Sequence, residues 1–300
     1  MPLMTVDPLR IIAFPGASNL PTFAAMERDS FRSFGVDVVS LELTSSSITQ
    51  AERVAAGEFG IAFTAFDNVV AYSPDQGAAG DDVDPEYVVI MGATQLELSL
   101  VVDPSVDEHA QLMGRSIALD ALGTGFVFVL YEMLERAGVD RSRCEFVPVG
   151  ATPQRWQAVR AGIHAATLTI EPFTSLATTA GFRILDSSSC LFTSYQGGVV
   201  AARRTVLERP AAVRAFIDGY LDGLGWVLDP SNRPAVTDLL MSRMDIDPAA
   251  VRPVLNSVLS PESGLTPDAR LLPDGVDTVL ALDRGTAPTV LRRTSAASST

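Results

Sequence analysis

The feature that most constrains this chain is an alternation of short apolar runs with helical patterns, which occurs twice. In the first half, residues 9–14, 36–43 and 59–66 read as strands, and each is followed by apolar residues at helical spacing. In the second half, the strand-like runs are residues 115–120, 144–150, 165–173 and 182–186. Strands that alternate with helices favour βαβ units. We therefore predict an α/β protein made of two lobes.

Two segments have the character of crossings between the lobes. The run 87–104 is long, extended in pattern and free of turn residues after Gly92, and 194–204 is suited to a return. A strong amphipathic helical pattern follows over 206–229. We expect residues 1–95 and 194–300 to form the first lobe and 96–193 the second. Ligands of open α/β sheets bind beyond the carboxyl ends of the strands, so a central cleft is expected.

Composition excludes several functions. The 300 residues carry a net charge of −14, and 47% are hydrophobic, which is typical of a well-buried globular protein. All 22 basic residues are Arg, so a Schiff-base lysine, covalently held pyridoxal phosphate and a Walker-type phosphate loop are excluded. An acidic chain without basic runs is a poor match for nucleic acid. No nucleic-acid partner is expected.

Cysteine and histidine are scarce. Cys144 and Cys190 form no CxxC pattern, so we expect no metal site and no cofactor. The two cysteines can pair in an oxidising compartment, but at a spacing of 46 residues we expect two reduced thiols. His164 is predicted at the strand end opposite the cleft, and His109 is predicted to be solvated in a polar stretch. Hydrolysis by a Ser/His or Cys/His pair is therefore not expected.

The N-terminal residues 1–16 lack the basic and apolar regions of a signal peptide. No run approaches the roughly 18 apolar residues of a membrane span. We expect a periplasmic or extracytoplasmic protein if a leader was removed, and a cytoplasmic one if Met1 is the native start.

Three segments, at 57–72, 114–140 and 155–172, resemble a known family in their order and spacing. They are GEFGIAFTAFDNVVAY, GRSIALDALGTGFVFVLYEMLERAGVD and RWQAVRAGIHAATLTIEP. Together they resemble the type II periplasmic solute-binding proteins of ABC transporters, in the branch that binds nitrate, sulfonates, taurine and thiamine pyrimidines. The resemblance implies two Rossmann-like lobes that close on a ligand by hinge motion. It also implies capture of a small organic solute, aromatic or sulfonated, and an ABC permease as partner.

The same branch resembles a set of enzymes built on this scaffold, so fold does not settle function. The alternative is a cytoplasmic lyase, decarboxylase or desulfinase acting on a small aromatic acid, with no catalytic residue assigned. Desulfinases of this fold carry a Cys in the first loop, where this chain has Ala17 and Ser18. An intracellular sensor is a third alternative.

Candidate ligand-binding residues follow the predicted strands of both lobes. Those of the first lobe are Ser18, Asn19, Thr22, Thr64, Asp67 and Asn68. Those of the second lobe are Asp120, Gly123, Thr124, Gly125, Phe126 and Glu171. The crossing segments add Gln95, Tyr195 and Gln196.

Each candidate has a structural alternative. Ser18 or Asn19 can cap a helix, and Asp67 can be the N-cap of the helix that follows it. Asp120 can orient its loop through backbone hydrogen bonds, and Glu171 can lie at a solvated rim. If Asp67, Asp120 and Glu171 do face the cleft, they favour a ligand with donor or cationic groups.

Overall fold

The computed structural model describes residues 8–73, 83–95, 97–123 and 126–285 and contains two five-stranded sheets. The first sheet comprises β1 (Leu9–Ala13), β2 (Val38–Leu43), β3 (Ile61–Ala65), β4 (Tyr87–Thr94) and β10 (Gly198–Arg203). Its order is β2-β1-β3-β10-β4, and only β10 runs antiparallel to its neighbours. We call this sheet and the helices packed on it the first lobe.

The second sheet repeats the same topology. It comprises β5 (Ser99–Val102), β6 (Ser116–Leu119), β7 (Glu145–Pro148), β8 (Ala166–Thr169) and β9 (Arg183–Ser187). The order is β7-β6-β8-β5-β9, and β5 is antiparallel to both of its neighbours. We call this sheet and its helices the second lobe. The chain crosses between the two sheets after β4 and again before β10.

Twelve α-helices surround the sheets in the described part of the chain. They are α1 (Leu20–Glu27), α2 (Ser30–Phe34), α3 (Ser47–Ala55), α4 (Phe66–Ala71), α5 (Val127–Arg136), α6 (Thr152–Arg160), α7 (Phe173–Thr179), α8 (Ser188–Leu191), α9 (Pro210–Leu228), α10 (Arg233–Arg243), α11 (Pro248–Val258) and α12 (Pro273–Asp283). None of them is both long enough and apolar enough to cross a membrane.

Two local predictions were wrong. The apolar residues at helical spacing that follow the first predicted strand, over 22–34, do not form one helix, because Asp29 adopts a left-handed conformation (φ 55°) that separates α1 from α2. The strand predicted over 165–173 ends at Thr169, and Phe173 already begins α7. A cis Glu171–Pro172 peptide turns the chain between these two elements.

The core of the first lobe forms around α9, which lies against α1 and α2. The rings of Phe31 and Phe216 stack at a centroid distance of 5.1 Å. Gly219 and Gly223 of α9 let the helices approach closely, since a Cβ at either position would clash with Phe31 or with Pro21 and Ala25. This packing anchors the N-terminus of α1 at the end of β1.

The core of the second lobe includes two residues from the C-terminal region. Val279 and Leu282 of α12 are buried in the same cluster as Leu119 and Leu130. Helix α12 also packs against α4 of the first lobe. It therefore bridges the two lobes, although the sequence places it in the segment 194–300 expected to belong to the first.

Candidate functional site

A cavity lies between the lobes, where the carboxyl ends of β1, β3, β6, β7 and β8 face one another. The centre of a water molecule can reach about 60 Å³ of it, which is room for a small solute. Its lining is Phe14, Ser18, Asn19, Phe63, Thr64, Ala65, Asn68, Ala93, Thr94, Leu119, Asp120, Ala121, Phe126, Val127, Ala151, Thr152, Arg155, Ile170, Gly198 and Val199. Both lobes contribute, so the cavity exists only when they are together.

The first lobe provides polar side chains from the loop after β1 and from the end of β3. Asn19 donates from Nδ2 to the carbonyl oxygen of Phe14 at 2.8 Å, which holds the loop that carries Ser18. The side chain of Asn68 donates to Thr64 Oγ1 at 3.1 Å. Asn68 is 3% exposed, and its Oδ1 is buried without a hydrogen-bond partner. An unpaired buried acceptor is costly, so this atom requires an explanation.

The second lobe provides Arg155, which sequence reasoning did not single out. Its side chain is 4% exposed and lines the cavity from the first turn of α6. One guanidinium nitrogen donates to Thr152 Oγ1 at 2.8 Å, whereas Nε is buried without a partner. Burial lowers the pKa of Arg155 to about 10, so the group remains cationic at neutral pH.

A positional signal for Arg155 was present in the sequence. The residue follows the candidate strand 144–150, and the rule that locates ligands beyond the carboxyl ends of strands applies there as it does at Asp120. The resembling segment 155–172 even begins with this residue. The two helices α5 and α6 also begin on the cavity, at Val127 and Thr152, so their positive dipole ends reinforce the charge of Arg155.

Most of the remaining lining is apolar. Phe14 and Phe63 come from the first lobe, and Phe126 and Ile170 come from the second. The apolar walls lower the local dielectric response, which strengthens any charge pairing made inside the cavity. The arrangement suits a solute with an apolar body and a charged or polar end.

Asp120 joins the two lobes at the edge of the cavity. Its carboxylate accepts a hydrogen bond from the backbone N–H of Ser47, the first residue of α3, at 3.1 Å. The sequence raised the alternative that Asp120 orients its own loop. The structure shows a bond to a helix N-terminus of the other lobe, where a negative charge is favourable.

Two backbone hydrogen bonds also cross between the lobes. The amide of Ala151 donates to the carbonyl oxygen of Ser45 at 2.7 Å, and the amide of Ala17 donates to that of Glu171 at 3.0 Å. Gly150 approaches Ser45 so closely that a Cβ there would lie 2.8 Å from its carbonyl oxygen. The lobes are therefore in contact around the cavity, in a closed arrangement.

Asp67 lies behind the cavity wall rather than on it. It is the second residue of α4 and is 4% exposed, and Ala65, not Asp67, is the N-cap of this helix. The prediction that Asp67 is the N-cap of this helix is therefore wrong. Its Oδ1 accepts from the backbone N–H of Asn68 at 2.9 Å. Burial, with a smaller contribution from the nearby negative charge of Asp120, raises the pKa of Asp67 to about 7.

Six of the other candidates line the cavity: Ser18, Asn19, Thr64, Asn68, Asp120 and Phe126. Three further candidates do not line it. Thr22 is buried in α1, Gly123 is exposed, and Glu171 lies at a neighbouring hollow where it accepts from Ser175. Burial raises the pKa of Glu171. Thr124 and Gly125 lie outside the described residues.

The three crossing-segment candidates also lie away from the cavity. Gln95 donates to the carbonyl oxygen of Pro261, and Tyr195 stacks on Phe192 with ring centroids 5.9 Å apart. Gln196 is fully buried, donates to Gly198 O at 2.9 Å and accepts from Leu272 N at 2.8 Å. Its amide serves the backbone where β10 begins. That the candidate side chains contact a ligand remains a prediction.

Neither histidine lines the cavity. His164 lies 3.0 Å from Ser116 Oγ, at the amino ends of β6 and β8, as predicted. His109 is not fully solvated as expected, because its Nε2 lies 3.4 Å from a carboxylate oxygen of Asp186. The cysteines Cys144 and Cys190 are not bridged. Ser18 therefore has no histidine partner at the cavity.

Comparison with known proteins identifies the family. The model of the NMT1-like family matches residues 6–241. A search of curated proteins with the sequence gives no match.

Solved structures agree with the fold. A protein from Bordetella bronchiseptica RB50 is 20% identical with a TM-score of 0.77, over 94% of this chain and 90% of that one. The alkanesulfonate-binding protein SsuA from Xanthomonas axonopodis pv. citri, bound to MOPS, is 16% identical with a TM-score of 0.74, over 94% and 95%. The periplasmic nitrate-binding protein NrtA from Synechocystis PCC 6803 is 12% identical with a TM-score of 0.72, over 84% and 70%.

The fold suggested by the three resembling segments is thus confirmed, with its paired sheets of equal topology and the cavity between them. The chain belongs to the NMT1-like family and has the two-lobed fold of the periplasmic solute-binding proteins of ABC transporters.

Proposed function

We propose that this protein is a solute-binding protein of an ABC importer and that it captures a small organic anion between its lobes. The observation that carries the proposal is Arg155, a buried guanidinium on the cavity whose Nε has no partner. The nearby carboxylate of Asp120 favours the charged form of Arg155, but the buried Nε donor still lacks an acceptor, which is unfavourable. A carboxylate or sulfonate bound in the cavity would supply the missing partner, in the geometry that a guanidinium favours.

The lining supports an organic rather than a purely inorganic anion. Phe14, Phe63 and Phe126 surround the polar groups, and an aliphatic or small aromatic body would bury its surface against them. The structurally similar alkanesulfonate-binding and nitrate-binding proteins show that related folds accommodate oxyanions.

The cavity favours binding over catalysis. Ser18, in the loop after β1, supplies a hydroxyl to the cavity. Neither histidine lines the cavity, so neither can activate this hydroxyl as a nucleophile. We propose that residues 1–95 and 194–300 act as one lobe and 96–193 as the other, with helix α12 packed against both, and that closure buries the solute. An extracytoplasmic location and delivery to a permease follow from this function and from the family.

The test is calorimetric titration of the wild type, Arg155→Met and Arg160→Met with small carboxylates and sulfonates and with neutral amides of matched shape. Arg160 lies exposed on the same helix and is the matched control. We expect anions to bind the wild type and Arg160→Met equally. Arg155→Met should lose about 10- to 100-fold in affinity, the value of a charge-assisted hydrogen bond.

Circular dichroism should show that the unliganded Arg155→Met variant is folded, so that its loss of affinity reports the missing guanidinium and not unfolding. Binding of neutral amides as tight as that of anions would contradict the proposal. So would full anion affinity in Arg155→Met.

A further inference from the structure

Arg155 is not the only cavity residue with an unused polar atom. Asn68, on the opposite lobe, is 3% exposed and leaves Oδ1 buried without a partner. The two atoms are of opposite kind, since Arg155 Nε donates and Asn68 Oδ1 accepts. An occupant of the cavity therefore meets one unmet donor and one unmet acceptor.

The acceptor is fixed in place by its neighbours. The Nδ2 of Asn68 donates to Thr64 Oγ1 at 3.1 Å, and its backbone N–H donates to Asp67 Oδ1 at 2.9 Å. The residue is also in the first turn of α4, whose backbone is held between β3 and α12. The contact with Thr64 holds the amide group in the orientation that leaves Oδ1 unpaired.

An anion alone leaves this atom unmet. A carboxylate, sulfonate or nitrate satisfies Arg155, but all of its oxygens are acceptors and none can donate to Asn68 Oδ1. Across the cleft the cavity also presents Asp120, whose carboxylate is an acceptor, and Thr152, whose hydroxyl oxygen accepts from Arg155. Asn68 Oδ1 is therefore satisfied only if the solute carries a hydrogen-bond donor.

We propose that the solute carries an N–H or O–H donor in addition to its anionic group, and that this donor bonds to Asn68 Oδ1. The solute class is then the hydroxy- or amino-substituted carboxylates and sulfonates, and Asn68 determines the preference for them. The inference rests on the proposed function, because it assumes that the anionic end binds Arg155. Sites that hydrogen-bond a substrate hydroxyl or amine strongly reject the analogue that lacks it, since the buried partner is then left unpaired.

The experiment measures affinity for matched pairs that differ only in the donor: glycolate and acetate, taurine and ethanesulfonate, 4-aminobenzoate and benzoate. In the wild type, the donor-bearing member of each pair that binds should be at least about 10-fold tighter. In Asn68→Leu, which is close in volume and has no acceptor, the two members should bind within about 2-fold of each other. Asn68→Asp keeps an acceptor at this position and should retain the preference, most strongly for the ammonium of taurine.

The outcomes separate the two proposals. If anions bind through Arg155, as judged by their loss in Arg155→Met, but the pairs bind equally in the wild type, the donor requirement is wrong and the proposed function stands. Tighter binding of the members that lack a donor also overturns the donor requirement. If no pair binds the wild type, both proposals fail. Should Asn68→Leu not fold, loss of the preference in Asn68→Asp overturns the assignment to this residue.

Discussion

The carboxylate of Asp120 accepts a hydrogen bond from the backbone N–H of Ser47 at 3.1 Å, and the two residues belong to different lobes. Ser47 begins α3, whose N-cap Ser46 accepts from Thr49 N. Asp120 therefore satisfies a second N–H of the same helix end and places a negative charge at its positive pole. Since Asp120 also lines the cavity, lobe contact and solute binding share one side chain.

Asp120→Ala should weaken closure and solute binding together. A hydrogen bond to a charged acceptor contributes about 1.5–3 kcal/mol, so we expect a loss of about 10- to 100-fold in affinity. The radius of gyration of the unliganded protein, measured by small-angle scattering, should increase. Asp120→Asn retains an acceptor oxygen and should lose less. Wild-type affinity and radius in Asp120→Ala would show that the bond does not hold the lobes.

The fold was accessible from the sequence because its pattern is local. Apolar runs identified β1 to β3 and β6 to β9, whereas β4, β5 and β10 lie in the segments predicted as crossings. The chirality of βαβ units leaves few ways to arrange such strands. The break at Asp29 and the short strand before Glu171 were missed, because a positive φ and a cis peptide have no periodic signature.

The site was only partly predictable, for a different reason. Residues that directly follow strands, such as Asn19 and Asp120, could be placed near the cavity by rule. The rule does not say which side chain is left without a partner. Gln196 has its amide fully used by the backbone, whereas Asn68 and Arg155 each keep an unpaired atom. That distinction depends on contacts between residues distant in sequence.

Asp67→Asn should stabilise the protein at alkaline pH. The pKa of Asp67 is raised to about 7 in the folded state from an ordinary value of 3.8, so the folded state holds its proton where the unfolded state has lost it. The wild type therefore loses free energy of unfolding as the pH rises from about 4 to about 7, by up to about 4 kcal/mol. Asp67→Asn removes this loss, so urea denaturation should show a gain at pH 8 and little change at pH 4.

Asp229 provides a control of opposite sign. Hydrogen bonds from Ser231 lower the pKa of Asp229, so its contribution is present above its ordinary pKa and is lost in acid. Asp229→Asn should therefore reduce stability at pH 8 more than at pH 3. A gain in Asp67→Asn that is the same at pH 4 and pH 8 would mean that the carboxyl group does not titrate in this range.

Two glycines of α9 should respond in opposite directions to the same substitution. A Cβ at Gly223 would overlap the carbonyl oxygen of Pro21 and lie 2.8 Å from Ala25 Cβ, so Gly223→Ala forces α1 and α9 apart. We expect a loss of about 1–3 kcal/mol, as for other overpacked cores. Gly225 is exposed with no atom within 4 Å of its Cβ position, and Gly225→Ala should gain about 0.5–1 kcal/mol from helix propensity. Thermal denaturation of both variants measures the two changes in stability. Equal changes in the two variants would exclude a close helix contact at Gly223.

Two buried tyrosines offer a similar pair. Tyr220 packs beside Phe63 with ring centroids 5.8 Å apart, and its hydroxyl is buried without a partner. Removing an unpaired buried hydroxyl removes the cost of its desolvation, so Tyr220→Phe should raise the free energy of unfolding by about 1 kcal/mol.

Tyr72 is buried as well, but its hydroxyl donates to Ser47 Oγ at 2.9 Å. Tyr72→Phe breaks that bond and should lower stability by about 1 kcal/mol. Chemical denaturation of the two variants at one pH measures both signs, and destabilisation by Tyr220→Phe would reveal a partner for its hydroxyl.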